Sequence, residues 1–156
     1  MTHEDESVRS AQMARIKSRD TKLEMSVRRA LHAAGLRYRL HAKDLAGRPD
    51  IVFRSRRIVL FVHGCFWHLH PDPNCRLARM PKSKLDFWRP KLEGNRLRDG
   101  KNRSTLEAEG WTVIEVWECE INSDYLQQLI AVVLASNPSG TARNKIRSRA
   151  GEKVVQ

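Results

Sequence analysis

The stretch Ile58-Val59-Leu60-Phe61-Val62, residues 58–62, is a continuous apolar run near the middle of the chain. Successive side chains of a strand point to opposite faces of its sheet, so a run without polar residues predicts a central strand buried on both faces. The run leads directly into HGCFWHLH, residues 63–70, which is rich in His, Cys and aromatic side chains. We therefore predict a sheet whose central strand ends at a functional loop.

Helical and alternating patterns precede this strand. Thr21 and Glu24 form a Thr-x-x-Glu capping box that opens a helix, and Gly35 is its expected end. The apolar face of that helix consists of Leu23, Val27, Ala30, Leu31 and Ala34. Alternation over residues 36–40 predicts a strand, and residues 50–53 begin a second one.

A basic helical region follows the loop. The pattern predicts helix from Ser83 as the cap to a stop at Gly110, bent or divided at Pro90 and Gly94. The chain of 156 residues has a net charge of +11 and a pI near 10.2. Residues 76–103 supply much of that charge, which favours a nucleic acid partner over a surface that is merely basic.

The remaining elements predict the fold class. Residues 111–117 form a strand, and Asn122 or Ser123 caps a final helix. The order of helix, three strands, helix, strand and helix predicts an α/β fold with a mixed central sheet flanked by helices. We expect an N-terminal segment at residues 1–20, one folded domain at residues 21–135 and a basic, disordered tail at residues 136–156.

The expected compartment is the cytoplasm. The first ten residues, MTHEDESVRS, contain no apolar segment of the kind found in signal peptides. No apolar run is long enough to span a bilayer, so no membrane partner is expected. The three cysteines should therefore be reduced and free to bind a metal.

Those cysteines suggest a zinc site. Cys65, Cys75 and Cys119 supply three thiolates, and His70 lies midway between the first two. Three thiolates and one imidazole suit tetrahedral Zn²⁺. Residues 63–82 form a long loop with three prolines, which a structural metal would order. The alternative is three unrelated cysteines beside a surface histidine.

A second group of residues suggests hydrolysis of DNA. Asp50 follows a proline at the start of a strand, as in the first half of the PD-(D/E)xK nuclease pattern, but the second half is missing. His63 and His68 follow the central strand and can exchange protons near neutral pH. Asp99, in the basic helical region, can orient a histidine or serve only as a salt-bridge partner.

Aromatic residues near the basic region offer a DNA contact. Phe66 and Trp67 lie in the loop, and Trp88 lies among Lys and Arg side chains. Exposed apolar side chains in such surroundings suit insertion between base steps. The alternative interpretation is that these aromatics fill a core.

Four motifs together carry a resemblance to a known family. GRPDIVF (47–53), FVHGCFWHLH (61–70) and VWEC (116–119), with SRDT at residues 18–21, resemble the very-short-patch mismatch repair endonucleases of bacteria. The resemblance implies a restriction-endonuclease-like core with a structural zinc. It also implies a nickase that cuts 5′ of the T in T·G mismatches left by deamination of 5-methylcytosine.

The resemblance assigns roles to individual residues of this chain. It implies that Asp50 and the backbone carbonyl of Val62 bind catalytic Mg²⁺, two ions being expected. It implies that His68 is the acid–base residue, supported by Asp99. The remaining roles are active-site positions for His63 and Glu24, zinc ligation by Cys65, His70, Cys75 and Cys119, and DNA intercalation by Phe66, Trp67 and Trp88. It further implies that residues 1–20 clasp DNA, that the protein is a monomer and that it works with a MutL-type repair protein.

Two departures from the family pattern stand out. Val62 occupies a position where a well-known member has Thr, and the loop from His70 to Cys75 is longer than in that member. A backbone carbonyl is available from either residue, so Val62 should be tolerated. Two other functions remain open at this point, a zinc-stabilised DNA-binding module without activity and a restriction-type nuclease that cuts both strands.

Overall fold

The computed structural model describes residues 21–136. The predicted N-terminal arm and almost all of the predicted tail lie outside these residues. The elements along the chain are α1 (Lys22–Ala33), β1 (Arg39–Leu40), β2 (Ile51–Phe53), β3 (Ile58–His63), α2 (Leu85–Ala108), β4 (Thr112–Trp117) and α3 (Ser123–Ala135). Their order confirms the predicted α/β arrangement.

The four strands form one mixed sheet in the order β1-β2-β3-β4. β1 and β2 are antiparallel, β2 and β3 are antiparallel, and β3 and β4 are parallel. The prediction that residues 58–62 form a central strand is therefore confirmed. Because β3 and β4 run in the same direction, the segments that leave them emerge at the same edge of the sheet.

Both faces of the sheet are buried, as the unbroken apolar run requires. Ile58 and Leu60 of β3 pack in one cluster with residues of α1 and α3, such as Leu31 and Leu129. Val59, between them, packs in a second cluster with Leu106 of α2. The sheet is thus the middle of three layers, with α1 and α3 on one side and α2 on the other.

The predicted helix ends are largely confirmed. The Thr21 hydroxyl accepts a hydrogen bond from the Glu24 backbone N–H at 3.2 Å, and the Asn122 side chain accepts one from the Tyr125 N–H at 2.8 Å. Gly35 follows α1 with φ +85°, and Gly110 follows α2 with φ +89°. These are left-handed conformations, which glycine adopts without the steric cost of a Cβ.

The prediction of a divided helix in residues 83–109 is wrong. α2 is one helix of 24 residues that starts after Lys84 and contains Pro90. Pro90 forfeits only the bond to the carbonyl four residues earlier, while buried Leu92 and Leu106 hold the helix against the protein. No helix within residues 21–136 is long and apolar enough to cross a membrane.

The first predicted strand is shorter than its alternation indicates. β1 contains only two residues, because pairing with β2 is limited to Arg39 with Val52 and Leu40 with Ile51. After Leu40 the chain adopts a left-handed conformation at His41, with φ 49°. The strand therefore gives way to the loop that leads to Asp50.

Candidate active site and metal centres

The start of β2 and the end of β3 lie side by side because these strands are antiparallel. The Asp50 backbone N–H donates to the Leu60 carbonyl at 3.0 Å. The Val62 backbone N–H donates to Asp50 Oδ2 at 2.8 Å. These two bonds fix the Asp50 carboxylate beside the point where β3 enters the HGCFWHLH loop.

Asp50 opens onto a cavity of about 340 Å³. The residues that line the cavity include His41, Asp50, Val62, His63, His68 and Asp99. Lys43 and Arg48 also line it and are exposed, so cationic side chains are available to an anionic ligand. The structure thus brings the predicted strand-end carboxylate, both loop histidines and Asp99 to one place.

His68 and Asp99 form a close pair inside the cavity. His68 Nδ1 lies 2.6 Å from Asp99 Oδ2, and both side chains are partly buried. α2 supplies Asp99, so the basic helix also positions the histidine of the loop. A carboxylate on one ring nitrogen directs the other nitrogen, Nε2, away from the pair, the geometry that acid–base catalysis requires.

His63 lies beside this pair but is enclosed. It is only 4% exposed, and its ring centroid lies 4.0 Å from that of His68 and 4.9 Å from that of Trp117. Burial, with a smaller effect of His68, lowers the pKa of His63 to about 3, so its imidazole is neutral. A neutral imidazole in this position can donate or accept a hydrogen bond without carrying charge.

Glu24 reaches the site from α1 and is almost fully buried, at 2% exposure. Its Oε1 lies 3.2 Å from His41 Nε2, and one ligand atom from each of Glu24, His41 and Asp50 falls within 4.8 Å of the others. The backbone of Glu24 belongs to the predicted capping box, while its side chain faces His41. Two carboxylates and an imidazole at this spacing can hold a divalent cation.

His41 lines this cavity but was missed by the sequence interpretation. It follows β1 in a segment without a recognised motif. Its backbone N–H donates to the Asp50 carbonyl at 3.1 Å, which continues the β1–β2 pairing by one residue. The available signal was this cross-strand position, since a residue opposite Asp50 lies beside it whatever its type.

The Asp50 carboxylate is held in an unfavourable environment for its charge. Burial raises the pKa of Asp50 to about 6, the Val62 N–H opposes that rise and the neighbouring Glu24 carboxylate adds to it. Desolvated carboxylates facing each other are typical of sites where a cation offsets their charge. The electrostatics of the cavity therefore agree with its donor atoms.

A second cluster contacts Trp117, the same residue that contacts His63 at the cavity. Cys65, His70, Cys75 and Cys119 each place one ligand atom within 4.8 Å of the others, and Cys119 Sγ lies 3.4 Å from His70 Nδ1. In a tetrahedral zinc site with Zn–S bonds of about 2.3 Å, neighbouring sulfur ligands lie about 3.8 Å apart, and the distances within this cluster are compatible with that value. The donor set and spacing fit zinc, and they include Cys75 despite the longer loop.

The origin of this cluster is the parallel pairing of β3 and β4. His63 pairs with Trp117 at their ends, so Cys65 and Cys119, two residues beyond each, emerge together. Burial raises the pKa of the Cys65 thiol, and burial together with the other two cysteines raises that of Cys119. A cation bound between the sulfur atoms would stabilise their thiolate forms.

Phe66, Trp67 and Trp88 form an aromatic cluster outside the cavity. The ring centroids of this cluster lie 5.1 to 6.0 Å apart, and all three residues are only partly buried. Phe87 extends the cluster, with 55% exposure and a centroid 5.1 Å from Trp88. Lys91 Nζ lies within 6 Å of the Trp67 and Phe87 rings. These aromatics are thus presented at a basic surface, and core filling does not account for them.

The loop connects all three sets of residues. Within it, His68 points to the cavity, Cys65 and His70 belong to the sulfur cluster, and Phe66 and Trp67 to the aromatic cluster. The Asn95 side chain of α2 donates to the Trp67 carbonyl at 3.0 Å and ties the loop to the basic helix. One short segment therefore fixes the relative positions of a reactive cavity, a metal-type cluster and an aromatic surface.

Comparison with known proteins gives a consistent set of relatives. A family model described as "DNA mismatch endonuclease Vsr" matches residues 1–75. "Type II nicking enzyme V.XorIIP" from Xanthomonas oryzae pv. oryzae is 56% identical over 110 residues, covering 70% of this chain and 79% of that protein. "DNA mismatch endonuclease Vsr" from Escherichia coli K12 is 40% identical over 117 residues, covering 75% of this chain and 73% of that protein.

Proposed function

Because this chain belongs to the Vsr family of DNA mismatch endonucleases, we propose that it nicks one strand of duplex DNA 5′ of the T in a T·G mismatch. Nuclease activity on DNA follows from the family. The specificity for a T·G mismatch, the choice of the strand that is nicked and the roles of individual residues are what we propose. It rests above all on one observation, that the His68–Asp99 pair and the buried Asp50 carboxylate line the same cavity.

The proposed chemistry is hydrolysis of a phosphodiester. Asp50 and Glu24, with the backbone carbonyl of Val62, would hold Mg²⁺, two ions being the expected number. The cations supply Lewis-acid activation of the scissile phosphate and of the attacking water. His68 moves a proton through Nε2 while Asp99 holds Nδ1. Neutral His63 supplies a hydrogen bond beside them, and Lys43 and Arg48 attract the phosphate.

The proposed role of zinc is to hold the loop. Bound by Cys65, His70, Cys75 and Cys119, it would tie the end of β3 to the end of β4 and so fix His68 opposite Asp50. No step of the reaction passes through this cluster. Its contribution is to the free energy of unfolding and to the geometry of the loop.

The aromatic cluster is the proposed mismatch detector. Phe66, Trp67 and Trp88 would insert beside the T·G pair, where stacking is more easily broken than in matched DNA. The basic face of α2 would bind the phosphates and hold the duplex in register. Recognition and cutting are then coupled because Trp67 and His68 are adjacent.

The fold and setting agree with this proposal. We regard the mixed sheet, with Asp50 preceding β2 and helices on both faces, as a restriction-endonuclease-like core. We expect a monomer that acts on chromosomal DNA in the bacterial cytoplasm and is assisted by a MutL-type repair protein. These expectations follow the family resemblance.

A strand-resolved cleavage assay tests the proposal. Duplexes carrying T·G, T·A or C·G at one position, labelled on each strand separately, are incubated with the protein and Mg²⁺. The proposal expects a single nick on the T strand of the T·G duplex and none without Mg²⁺. Binding without cleavage at any Mg²⁺ concentration would favour a non-catalytic module, and cleavage of both strands in all three duplexes would favour a restriction-type nuclease.

A further inference from the structure

His41 occupies a specialised position next to the proposed magnesium site. Its backbone has φ 49°, in the left-handed region that L residues seldom adopt. The hydrogen bond from its N–H to the Asp50 carbonyl keeps it opposite Asp50 in spite of that conformation. The turn that follows β1 therefore places the His41 imidazole beside the Asp50 carboxylate.

The donor atoms around His41 have the spacing of a cation's ligand shell. In an octahedral shell with bonds of about 2.1 Å, adjacent ligand atoms lie about 3.0 Å apart. His41 Nε2 lies 3.2 Å from Glu24 Oε1, and a ligand atom of Asp50 completes a group within 4.8 Å. At this spacing an imidazole nitrogen can take a place in the shell that a water or a third oxygen would otherwise fill.

The surroundings favour a fixed ligand. The His41 side chain is 19% exposed, that of Glu24 is 3% exposed, and His41 lines the same cavity as Asp50. Few of the solvent molecules that usually complete a Mg²⁺ shell can approach from the side of Glu24. The cavity supplies the open positions instead.

We propose that His41 is a direct nitrogen ligand of the catalytic cation, so that the site takes Mn²⁺ in preference to Mg²⁺. Mg²⁺ prefers oxygen ligands and keeps several waters, whereas imidazole nitrogen suits the transition metals and Mn²⁺ also accepts carboxylates. The inference rests on the proposed function only in placing the cation at Asp50. The competing account is that His41 touches no cation and merely positions Glu24 through their contact.

Pulsed EPR on the full-length protein distinguishes the two accounts. The protein is brought to one zinc per chain by elemental analysis and then loaded with one equivalent of Mn²⁺. Electron spin echo envelope modulation detects the nitrogen of an imidazole bound directly to Mn²⁺. We expect that modulation in the wild-type protein, its loss in His41→Gln and its persistence in His32→Gln, a control on the exposed side of α1.

Affinity supplies a second measurement. By calorimetry, His41→Gln should weaken Mn²⁺ binding about tenfold and Mg²⁺ binding by about threefold or less. Asp50→Asn should remove the bound Mn²⁺ signal, which locates the ion. A wild-type protein that shows no nitrogen modulation overturns the proposal whatever the variants do, as does modulation that survives in His41→Gln and disappears in His68→Gln.

The outcomes also separate this inference from the proposed function. A protein that nicks T·G duplexes with Mg²⁺ but shows no nitrogen modulation keeps the function and loses the role of His41. A protein that shows the modulation but nicks no duplex keeps the ligand and loses the function. If His41→Gln fails to fold, as judged by its zinc content and thermal transition, the wild-type and His68→Gln spectra together still decide.

Discussion

The two ligand clusters of this molecule each contact the same indole ring yet differ in chemistry. Trp117 lies 4.9 Å from the ring centroid of His63, beside the cavity, and 4.5 Å from that of His70, in the sulfur cluster. The cavity cluster offers oxygens and imidazoles around about 340 Å³ of space. The sulfur cluster offers four ligands that surround one point.

This difference is the reason for proposing catalysis at the cavity and a structural metal at the sulfur cluster. Four ligands at tetrahedral spacing leave no position for a substrate, whereas carboxylates at a cavity leave positions open. Both clusters arise at the same edge of the sheet, where β3 and β4 end in parallel. In the proposed function, a metal at the sulfur cluster would therefore fix the loop that carries His68.

The largest effect is expected for Asp50→Asn, which removes one charge from the cavity cluster. Nicking of a T·G duplex should fall at least about a thousandfold because the cation loses its central carboxylate. The amide still accepts the Val62 N–H, so the unfolding free energy should change by less than about 1 kcal/mol. Single-turnover kinetics, calorimetric unfolding and zinc analysis measure these effects.

Asp44→Asn is the matched control for that variant. Asp44 lies in the same loop but is exposed and paired with Arg54 at 2.7 Å. Its removal should leave nicking and zinc content unchanged. Loss of zinc in Asp50→Asn would show that the sulfur cluster depends on the cavity cluster, contrary to the separate roles proposed for them.

Cys119→Ser acts on the other cluster. It should lower zinc content and reduce the free energy of unfolding by about 3 kcal/mol, because one of four ligands is replaced by a weaker one. The nicking rate should fall only to the extent that loss of zinc displaces the loop that carries His68. Elemental analysis and urea unfolding on the same sample test this, and unchanged zinc would remove Cys119 from the cluster.

Asp99→Asn sharpens the comparison within the cavity. His68 should lose its preferred ring orientation, so the single-turnover nicking rate should fall about a hundredfold while mismatch affinity and zinc content stay constant. Asp86→Asn, an exposed acid in the first turn of the same helix, is the control. Equal losses in both variants would assign the effect to the charge of α2.

Trp67→Ala tests the aromatic cluster and has the smallest expected effect. The preference for T·G over T·A duplexes should fall about tenfold, in line with the loss of one stacking contact, while affinity for matched DNA falls much less. Leu97→Ala, a 75% exposed apolar residue of α2, serves as the control. Equal loss of affinity on matched and mismatched duplexes would point to packing of the loop instead.

Much of this architecture could be predicted because local sequence patterns indicate the strands and the helix ends. The apolar run at residues 58–62 predicts a strand that is buried on both faces of its sheet. Thr21, Asn122, Gly35 and Gly110 mark the ends of helices. The His and Cys residues of the loop are conspicuous by type. That the sulfur donors meet depends on parallel pairing of β3 and β4, which the sequence suggests but does not specify.

What escaped prediction depends on contacts between distant segments. His41 has no motif and becomes part of the cavity only through its pairing with Asp50 across β1 and β2. Pro90 suggested a break in α2, but tertiary packing of Leu92 and Leu106 outweighs one lost hydrogen bond. Phe87 has no motif either, and it joins the aromatic cluster through its contact with Trp88 while remaining 55% exposed.

Selective removal of metal tests most directly the proposal that the cavity holds a catalytic cation and the sulfur cluster holds a structural zinc. The protein is treated briefly with EDTA and desalted, then assayed for zinc by elemental analysis and for nicking of a T·G duplex. The account predicts that zinc remains near one per chain, that nicking is lost, and that Mg²⁺ or Mn²⁺ alone restores it. Nicking that persists without added divalent cation, or that returns only when zinc is supplied, would contradict it.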